Sequence, residues 1–177
     1  MDVPTHTRHS NWPLAGTTPQ LTLKGIDFNF GPVNAADCTT GCLADEVDLG
    51  ATPGSTVSLP AAERQEYTAM TLLGTAVDGS HTGTVTVKYT TGASETFNQT
   101  FSDWCSFGAN ANESVAVGGI ERINSDGTLS GVSCNLYSYT YALDYNRKVE
   151  SIKLTNTDGT NDSFVLAITL QPDVKER

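Results

Sequence analysis

The chain has 177 residues, of which 38% are hydrophobic and only 17% are charged, so uncharged polar residues make up much of its surface. Ten Lys and Arg residues against 20 Asp and Glu residues give a formal net charge of -10 at pH 7. A negative field repels nucleic acid and anionic membrane surfaces, and no apolar run reaches the roughly 18 residues that span a bilayer. The composition therefore excludes nucleic acid and membrane as expected partners.

From Leu21 onward, short β-type runs alternate with turn dipeptides such as Asp78-Gly79 and Asp158-Gly159. Helical apolar periodicity is missing throughout. The pattern predicts strands over 21–24, 26–30, 47–49, 56–59, 67–77, 83–89, 94–101, 120–123, 136–143, 149–154 and 164–170, with one or two helical turns over 60–66. Residues 102–119 are predicted as a long loop of the kind that often carries function.

These elements predict an all-β fold, an antiparallel and jelly-roll-like β-sandwich with about ten strands and no long helix. Residues 1–20 are predicted to form a poorly ordered lead-in, because of their content of Pro, Thr, Asn and Gly. Residues 21–177 are predicted to form a single domain.

Four cysteines allow three pairings. The short interval between Cys38 and Cys42 favours a local disulfide, which leaves Cys105 to pair with Cys134 and close a loop worth roughly 3–4 kcal/mol. A four-thiolate zinc site is the alternative, although such sites usually have two closely spaced cysteine pairs. Disulfides in turn favour a secreted protein.

Several segments together resemble one class of module: 67–79, 83–89, the Ser-Asp-Trp motif at 102–104, 136–139, 142–144, 148–154 and 164–170. The chain resembles the carbohydrate-binding-like β-sandwich modules that are appended to secreted bacterial glycoside hydrolases. One difference is that Cys105 stands where similar modules often have a second aromatic residue. The resemblance implies a polysaccharide or glycan as ligand and a catalytic domain attached in the parent protein.

The loop over 102–119 has the residue types that bind sugars, an aromatic ring for stacking beside short polar side chains. The candidate ligand-binding residues here are Asp103, Trp104, Phe107, Asn110, Asn112, Glu113 and Arg122. In the alternative interpretation, Trp104 plugs one end of the sandwich and Asp103 pairs with Arg122 or caps loop amides.

A second candidate is the row of Tyr137, Tyr139 and Tyr141, which share one face of a strand at spacings of about 6.5–7 Å. Three such rings form a flat platform for a polysaccharide if they face solvent. If they face inward, they belong to the core and use their hydroxyls at its edge.

No cofactor is expected, with one alternative: Asp37, Asp45, Glu46 and Asp48 offer the oxygen ligands that calcium prefers, although a solvated loop also explains them. Candidates for catalysis are few. His6, His9 and His81 are the available near-neutral bases, and Asp103 with Glu113 is the nominated carboxylate pair for glycoside hydrolysis.

The sequence therefore predicts a non-catalytic carbohydrate-binding module that holds an extracellular enzyme near polysaccharide. One alternative is a structural or adhesive spacer domain of an extracellular multidomain protein. The other is a small glycoside hydrolase.

Overall fold

A computed structural model of the chain describes residues 20–23, 25–29, 47–48, 54–106, 108, 110–123, 126, 128–159 and 162–172. Its strands are β1 Gln20–Leu23, β2 Ile26–Asn29, β3 Val47–Asp48, β4 Ser55–Ser58, β5 Tyr67–Ala76, β6 His81–Tyr89, β7 Ser94–Phe101, β8 Glu113–Ile123, β9 Leu129–Ala142, β10 Val149–Asn156 and β11 Ser163–Pro172. A single 3-10 turn at Ala61–Glu63 is the only helical element in these ranges, and it falls within the predicted helical segment. No helix in the same ranges is long and apolar enough to cross a membrane.

The strands form two larger sheets and one hairpin. The four-stranded sheet has the order β4-β10-β6-β7, and the five-stranded sheet has the order β3-β11-β5-β9-β8, while β1 pairs with β2. Every pair of neighbouring strands is antiparallel. The predicted all-β antiparallel sandwich is confirmed.

Two consecutive strands, β5 and β6, lie in different sheets, and so do β9 and β10. In one sheet β5 pairs with β9, and in the other β6 pairs with β10. Each of these two short connections therefore crosses from one sheet to the other.

The core lies between the two sheets. Val85 and Val87 of β6, Ile152 and Leu154 of β10 and Met70 of β5 are all at most 1% exposed. In β6 the intervening residues Thr84 and Thr86 are more exposed, as a period of two predicts for a strand with one buried face.

The β5 strand is buried on both faces from Met70 to Ala76. One face contributes Met70 and Leu72 to the core, whereas Leu73 on the other face packs with Ala167 in a second cluster that Ile26 of the β1–β2 hairpin joins. This explains why the sequence from 70 to 76 has no charged residue and does not alternate between apolar and polar residues.

The β8–β9 hairpin is longer than predicted. The strand expected over 120–123 begins at Glu113, and the strand expected over 136–143 begins at Leu129, so the loop after β7 ends near Asn112 and not at Gly119. The register of this hairpin shifts at three places. Such bulges, together with the glycines at 118 and 119, remove the alternation that identifies a strand in sequence.

Gly74 lies where β5 and β11 approach most closely. A Cβ atom on Gly74 would lie 2.5 Å from the carbonyl oxygen of Phe164, which is backbone and part of the paired strand. We expect Gly74→Ala to lower the free energy of unfolding by about 1–3 kcal/mol in urea titrations, since the strands must separate to fit the methyl group.

Gly118→Ala is the matched control, because the nearest atom to its added Cβ is the side-chain oxygen of Asn135 at 3.2 Å, which has some freedom to shift. Equal losses in the two variants would contradict the close strand approach at Gly74.

Candidate functional site

The Ser-Asp-Trp motif lies between the end of β5 and β9 and pairs with β5 through a single isolated bridge. The amide of Ala76 donates to the carbonyl of Ser102, and the amide of Trp104 donates back to the carbonyl of Ala76, each at 2.8 Å. On the other side, the amide of Asn135 donates to the carbonyl of Trp104. The pairing of Ala76 with Asp103 is parallel, and the motif widens the five-stranded sheet at this end.

A disulfide links the inserted segment to β9. Cys105 bonds to Cys134 across a separation of 29 residues, which confirms that predicted pair. Because these two sulfurs are bonded to each other, the four-thiolate zinc site is excluded. Cys38 and Cys42 lie outside the described residues, and their pairing stays a prediction.

Both oxygens of the Asp103 carboxylate accept hydrogen bonds from backbone amides. Gly79 donates to Oδ2 at 2.9 Å and Cys105 donates to Oδ1 at 2.8 Å. Partial burial raises the pKa of Asp103, but hydrogen bonds from Gly79, Cys105 and Ser106 outweigh it, so the net pKa is lowered. The sequence left two structural roles open for Asp103, an ion pair with Arg122 or capping of loop amides. The structure shows the capping of loop amides. No ion pair joins Asp103 to Arg122 in the part of the chain that the structure describes.

The tyrosine row faces inward, so its rings do not form an exposed platform. Tyr137 and Tyr139 are 0% exposed and Tyr141 is 3% exposed, all within the core between the sheets. Tyr139 packs edge to face on Phe101, and Tyr141 packs on Phe97 with ring centroids 4.7 Å apart. The sequence left open whether the three tyrosines face solvent or the core, and the structure shows that they face the core.

Each tyrosine hydroxyl bonds to a different residue near the end of β7 or just after it. The Tyr137 hydroxyl donates to the carbonyl of Ser106 at 2.6 Å, the Tyr139 hydroxyl accepts from the amide of Ser102 at 3.0 Å, and the Tyr141 hydroxyl donates to Oε1 of Gln99 at 2.8 Å. Burial raises the pKa of both the Tyr139 and the Tyr141 hydroxyls well above the usual value. Both hydroxyls therefore stay neutral.

Behind the motif, Ser102 and Glu113 form a closed polar cluster. The Ser102 hydroxyl donates to Oε2 of Glu113 at 2.6 Å and accepts from the side-chain amide of Asn110 at 2.7 Å. Gly108 covers this pair, because a Cβ at that position would lie 1.7 Å from Oγ of Ser102. Only glycine fits there, and the cluster has little room for a further molecule.

Two of the predicted ligand-binding residues, Asn112 and Arg122, are exposed, whereas Asp103, Trp104, Asn110 and Glu113 are all partly buried. Asn112 adopts a positive φ of 62°, which asparagine tolerates better than most residues, at the turn into β8. Phe107 lies outside the described residues. The structure therefore brings Asp103, Trp104, Asn110 and Glu113 to one end of the sandwich, with only Trp104 combining an aromatic ring and partial exposure.

The remaining candidates divide between described and undescribed residues. His81 lies at the start of β6 and contacts Asp158, whereas His6, His9 and the calcium candidates Asp37, Asp45 and Glu46 lie outside the described residues. The side chain of the fourth calcium candidate, Asp48, is also outside the described part. Among the described side chains, no group of three or more His, Cys, Asp or Glu residues is arranged to hold a metal ion.

Comparison with protein-family models gave no match, and neither did comparison with curated proteins. The site must therefore be interpreted from its own geometry.

Sequence reasoning missed several residues that hold this site. Gln99, which is 4% exposed, links Tyr141 to the carbonyl of Ala111, and Asn135 pairs with the inserted segment. Gln99 had a recognisable signal: it shares the inward parity of Phe97 and Phe101 on β7, where a polar residue needs a buried partner.

We expect Tyr139→Phe to lower the free energy of unfolding by about 1–3 kcal/mol, because the buried amide of Ser102 loses its acceptor. Urea unfolding followed by fluorescence measures this change. Tyr145→Phe is the matched control, since Tyr145 is 56% exposed, and its effect should stay within about 0.5 kcal/mol. A Tyr139→Phe protein as stable as the control would show that the hydroxyl does not hold the segment.

We expect Asp103→Asn to destabilise the protein at neutral pH, and the deficit to shrink as the pH falls below about 4. A lowered folded-state pKa stabilises the fold above the unfolded-state pKa, and that contribution is lost as the carboxylate becomes protonated at lower pH. Unfolding free energies of both proteins between about pH 2.5 and pH 7 measure the difference.

Asp78→Asn controls for the loss of one negative charge at the same end, because Asp78 is exposed and asparagine suits its positive φ of 57°. A deficit in Asp103→Asn that does not change with pH would argue against a stabilising carboxylate.

Proposed function

We propose that this chain is a non-catalytic carbohydrate-binding module whose contact point is the end of the sandwich that carries Trp104. The observation that supports this most directly is the half-buried Trp104 on a segment that is bonded on both sides and linked to β9 through Cys105. An aromatic side chain on a rigid backbone loses little conformational freedom when it stacks on a sugar ring.

The hydrolase alternative has less support. A glycosidase needs one carboxylic acid that is protonated near neutral pH, which requires a raised pKa. The pKa of Asp103 is lowered, and both of its oxygens accept backbone amides. Glu113 accepts from Ser102 within the closed cluster. Neither carboxylate is arranged to donate a proton to a glycosidic oxygen.

A structural spacer is the second candidate. It is favoured by the hydrogen bonds that several polar side chains make within the protein. These side chains are Ser102, Gln99, Asn110 and Glu113, and the same polar groups would otherwise be available to contact sugar hydroxyls. In both proposals the module is extracellular, since disulfides such as Cys105–Cys134 persist in oxidising compartments. An attached catalytic domain in the parent protein belongs to the first proposal only.

Affinity electrophoresis through gels that contain soluble polysaccharides tests the binding function. We expect at least one polysaccharide to retard the chain, and Trp104→Ala to weaken that binding about tenfold, which corresponds to the loss of an aromatic contact of about 1.4 kcal/mol.

Tyr145→Ala is the matched control, because Tyr145 is an exposed aromatic residue in the turn after β9, at the opposite end of that strand from Cys134. No retardation by any polysaccharide would favour the spacer. Retardation that Tyr145→Ala abolishes and Trp104→Ala preserves would place the site elsewhere.

A further inference from the structure

Acidic side chains from three different connections lie at the Trp104 end of the sandwich. Asp103 directly precedes Trp104 in the segment after β7. The amide of Trp104 donates to the carbonyl of Ala76, and Asp78 follows two residues later in the turn between β5 and β6. An amide of the same turn donates to the carbonyl of Asp162, in the turn between β10 and β11, at 2.8 Å. The backbone therefore brings these carboxylates close to one tryptophan.

These carboxylates are placed where they act on a molecule that approaches from solvent. Asp78 is exposed, and the side chain of Asp162 is 39% exposed. Asp103 is partly buried, but the two backbone amides that donate to its carboxylate favour the charged form. Asp158 of the β10–β11 turn is a fourth carboxylate at this end, where it contacts His81 at the start of β6.

Positive charge at this end is scarce in the part of the chain that the structure describes. The basic side chains here are His81 and the exposed Arg122 of β8. Even if both are counted as positive, the four carboxylates outnumber them. Glu121 and Asp126, which are exposed on the β8–β9 hairpin, add further negative charge. The end that carries Trp104 is therefore strongly net negative.

The remaining described basic residues lie on β10, beside it or at the opposite end of the sandwich. They are Arg64, Lys88, Arg147, Lys148 and Lys153. Carboxylates accompany several of them, because Lys88 and Arg64 both contact Glu150, at 2.8 Å and 3.8 Å, and Arg147 contacts Asp144 at 3.0 Å. The net charge of -10 is thus unevenly distributed, with its excess at the Trp104 end.

We propose that the glycan bound at the Trp104 end is an uncharged polysaccharide, and that this end rejects polymers that carry carboxylate or sulfate groups. The inference rests on the proposed function, since it names the class of glycan for the same contact point. Carboxylates from several connections repel a negatively charged sugar unit that stacks on Trp104. Neutral hydroxyls meet no such repulsion, and the exposed oxygens of Asp78 and Asp162 accept hydrogen bonds from them.

Salt dependence separates a charge effect from a difference in shape. The Debye length is about 30 Å at an ionic strength of about 0.01 M and about 3 Å at about 1 M, so exposed charges repel strongly only at low salt. Binding of an uncharged polysaccharide should change little between these conditions. Binding of an anionic polymer with the same backbone should improve as salt is added.

The test compares a neutral polysaccharide with its carboxymethylated form, which keeps the backbone and adds carboxylates. Soluble glucan, xylan, mannan and galactan are first screened with polygalacturonate and alginate as anionic polymers. The retained neutral polymer and its carboxymethylated form are then titrated by calorimetry at low and high salt. We expect the carboxymethylated form to bind about fivefold more weakly at low salt, the order of two unscreened repulsions across about 8–10 Å of water. This difference should disappear at high salt.

Asp78→Asn/Asp162→Asn removes two of the charges. It should recover part of the low-salt binding of the carboxymethylated form and leave the neutral form unaffected. Glu63→Gln/Glu66→Gln is the matched control, because it removes two carboxylates just before β5, at the opposite end of that strand from Ala76. Equal recovery in the two variants would argue against a local effect at the Trp104 end.

The outcomes separate this inference from the proposed function. Retention by an anionic polymer alone, or equal binding of the two forms at low salt, would overturn the inference while the binding function stands. A deficit of the carboxymethylated form that salt leaves unchanged would also overturn it, because its cause would then be steric. Retention by no polymer would overturn both. If the Asp78→Asn/Asp162→Asn protein does not fold, the salt comparison on the unsubstituted chain decides by itself.

Discussion

The contact between the tyrosine row of β9 and the chain that follows β7 organises one end of this protein. Tyr139 and Tyr141 lie in the dry space between the sheets, where a hydroxyl without a partner is strongly unfavourable. Their partners are Ser102 and Gln99, at the end of β7 and just beyond it. The end of β7 and the inserted segment therefore provide hydrogen-bond partners for the buried tyrosine hydroxyls. The core in turn fixes the position of the inserted segment.

This mutual dependence explains why the segment is bonded to the sheet and is not an open loop. Once Tyr137 and Tyr139 hold Ser106 and Ser102, the chain between them passes beside the end of β5, where the amide and carbonyl of Ala76 lack a partner from β9. Pairing with Ala76 satisfies both groups, and the disulfide from Cys105 then joins the segment to β9. The Asp103 carboxylate extends the network to Gly79 and so to the turn that His81 connects to β10 and β11.

The same network limits what the site can do chemically. Ser102, Asn110 and Glu113 have the side chains expected of a sugar-binding or hydrolytic site, but their hydrogen bonds are made to one another under Gly108. Trp104 is the aromatic residue at this end of the sandwich. It is partly exposed, as Asn110 and Glu113 are, and its backbone is bonded on both sides. The residue types alone do not separate these two situations, since the same composition suits a ligand site and a buried polar cluster.

The sequence by itself determined the strand periods and most of the turns, because alternation and Asp-Gly dipeptides are local signals. It favoured the Cys105–Cys134 pair only through the short interval between the other two cysteines, and the structure decided that pair. It also showed that Tyr137, Tyr139 and Tyr141 share one face. Only the tertiary structure decided that this face is the inner one. Alternation along a strand shows which residues share a face, but it does not show which of the two faces packs against the second sheet. The early start of β8, the insertion beside Ala76 and the pairing of Asp103 with Gly79 depend on contacts between distant segments. No local pattern at 102–119 carries that information.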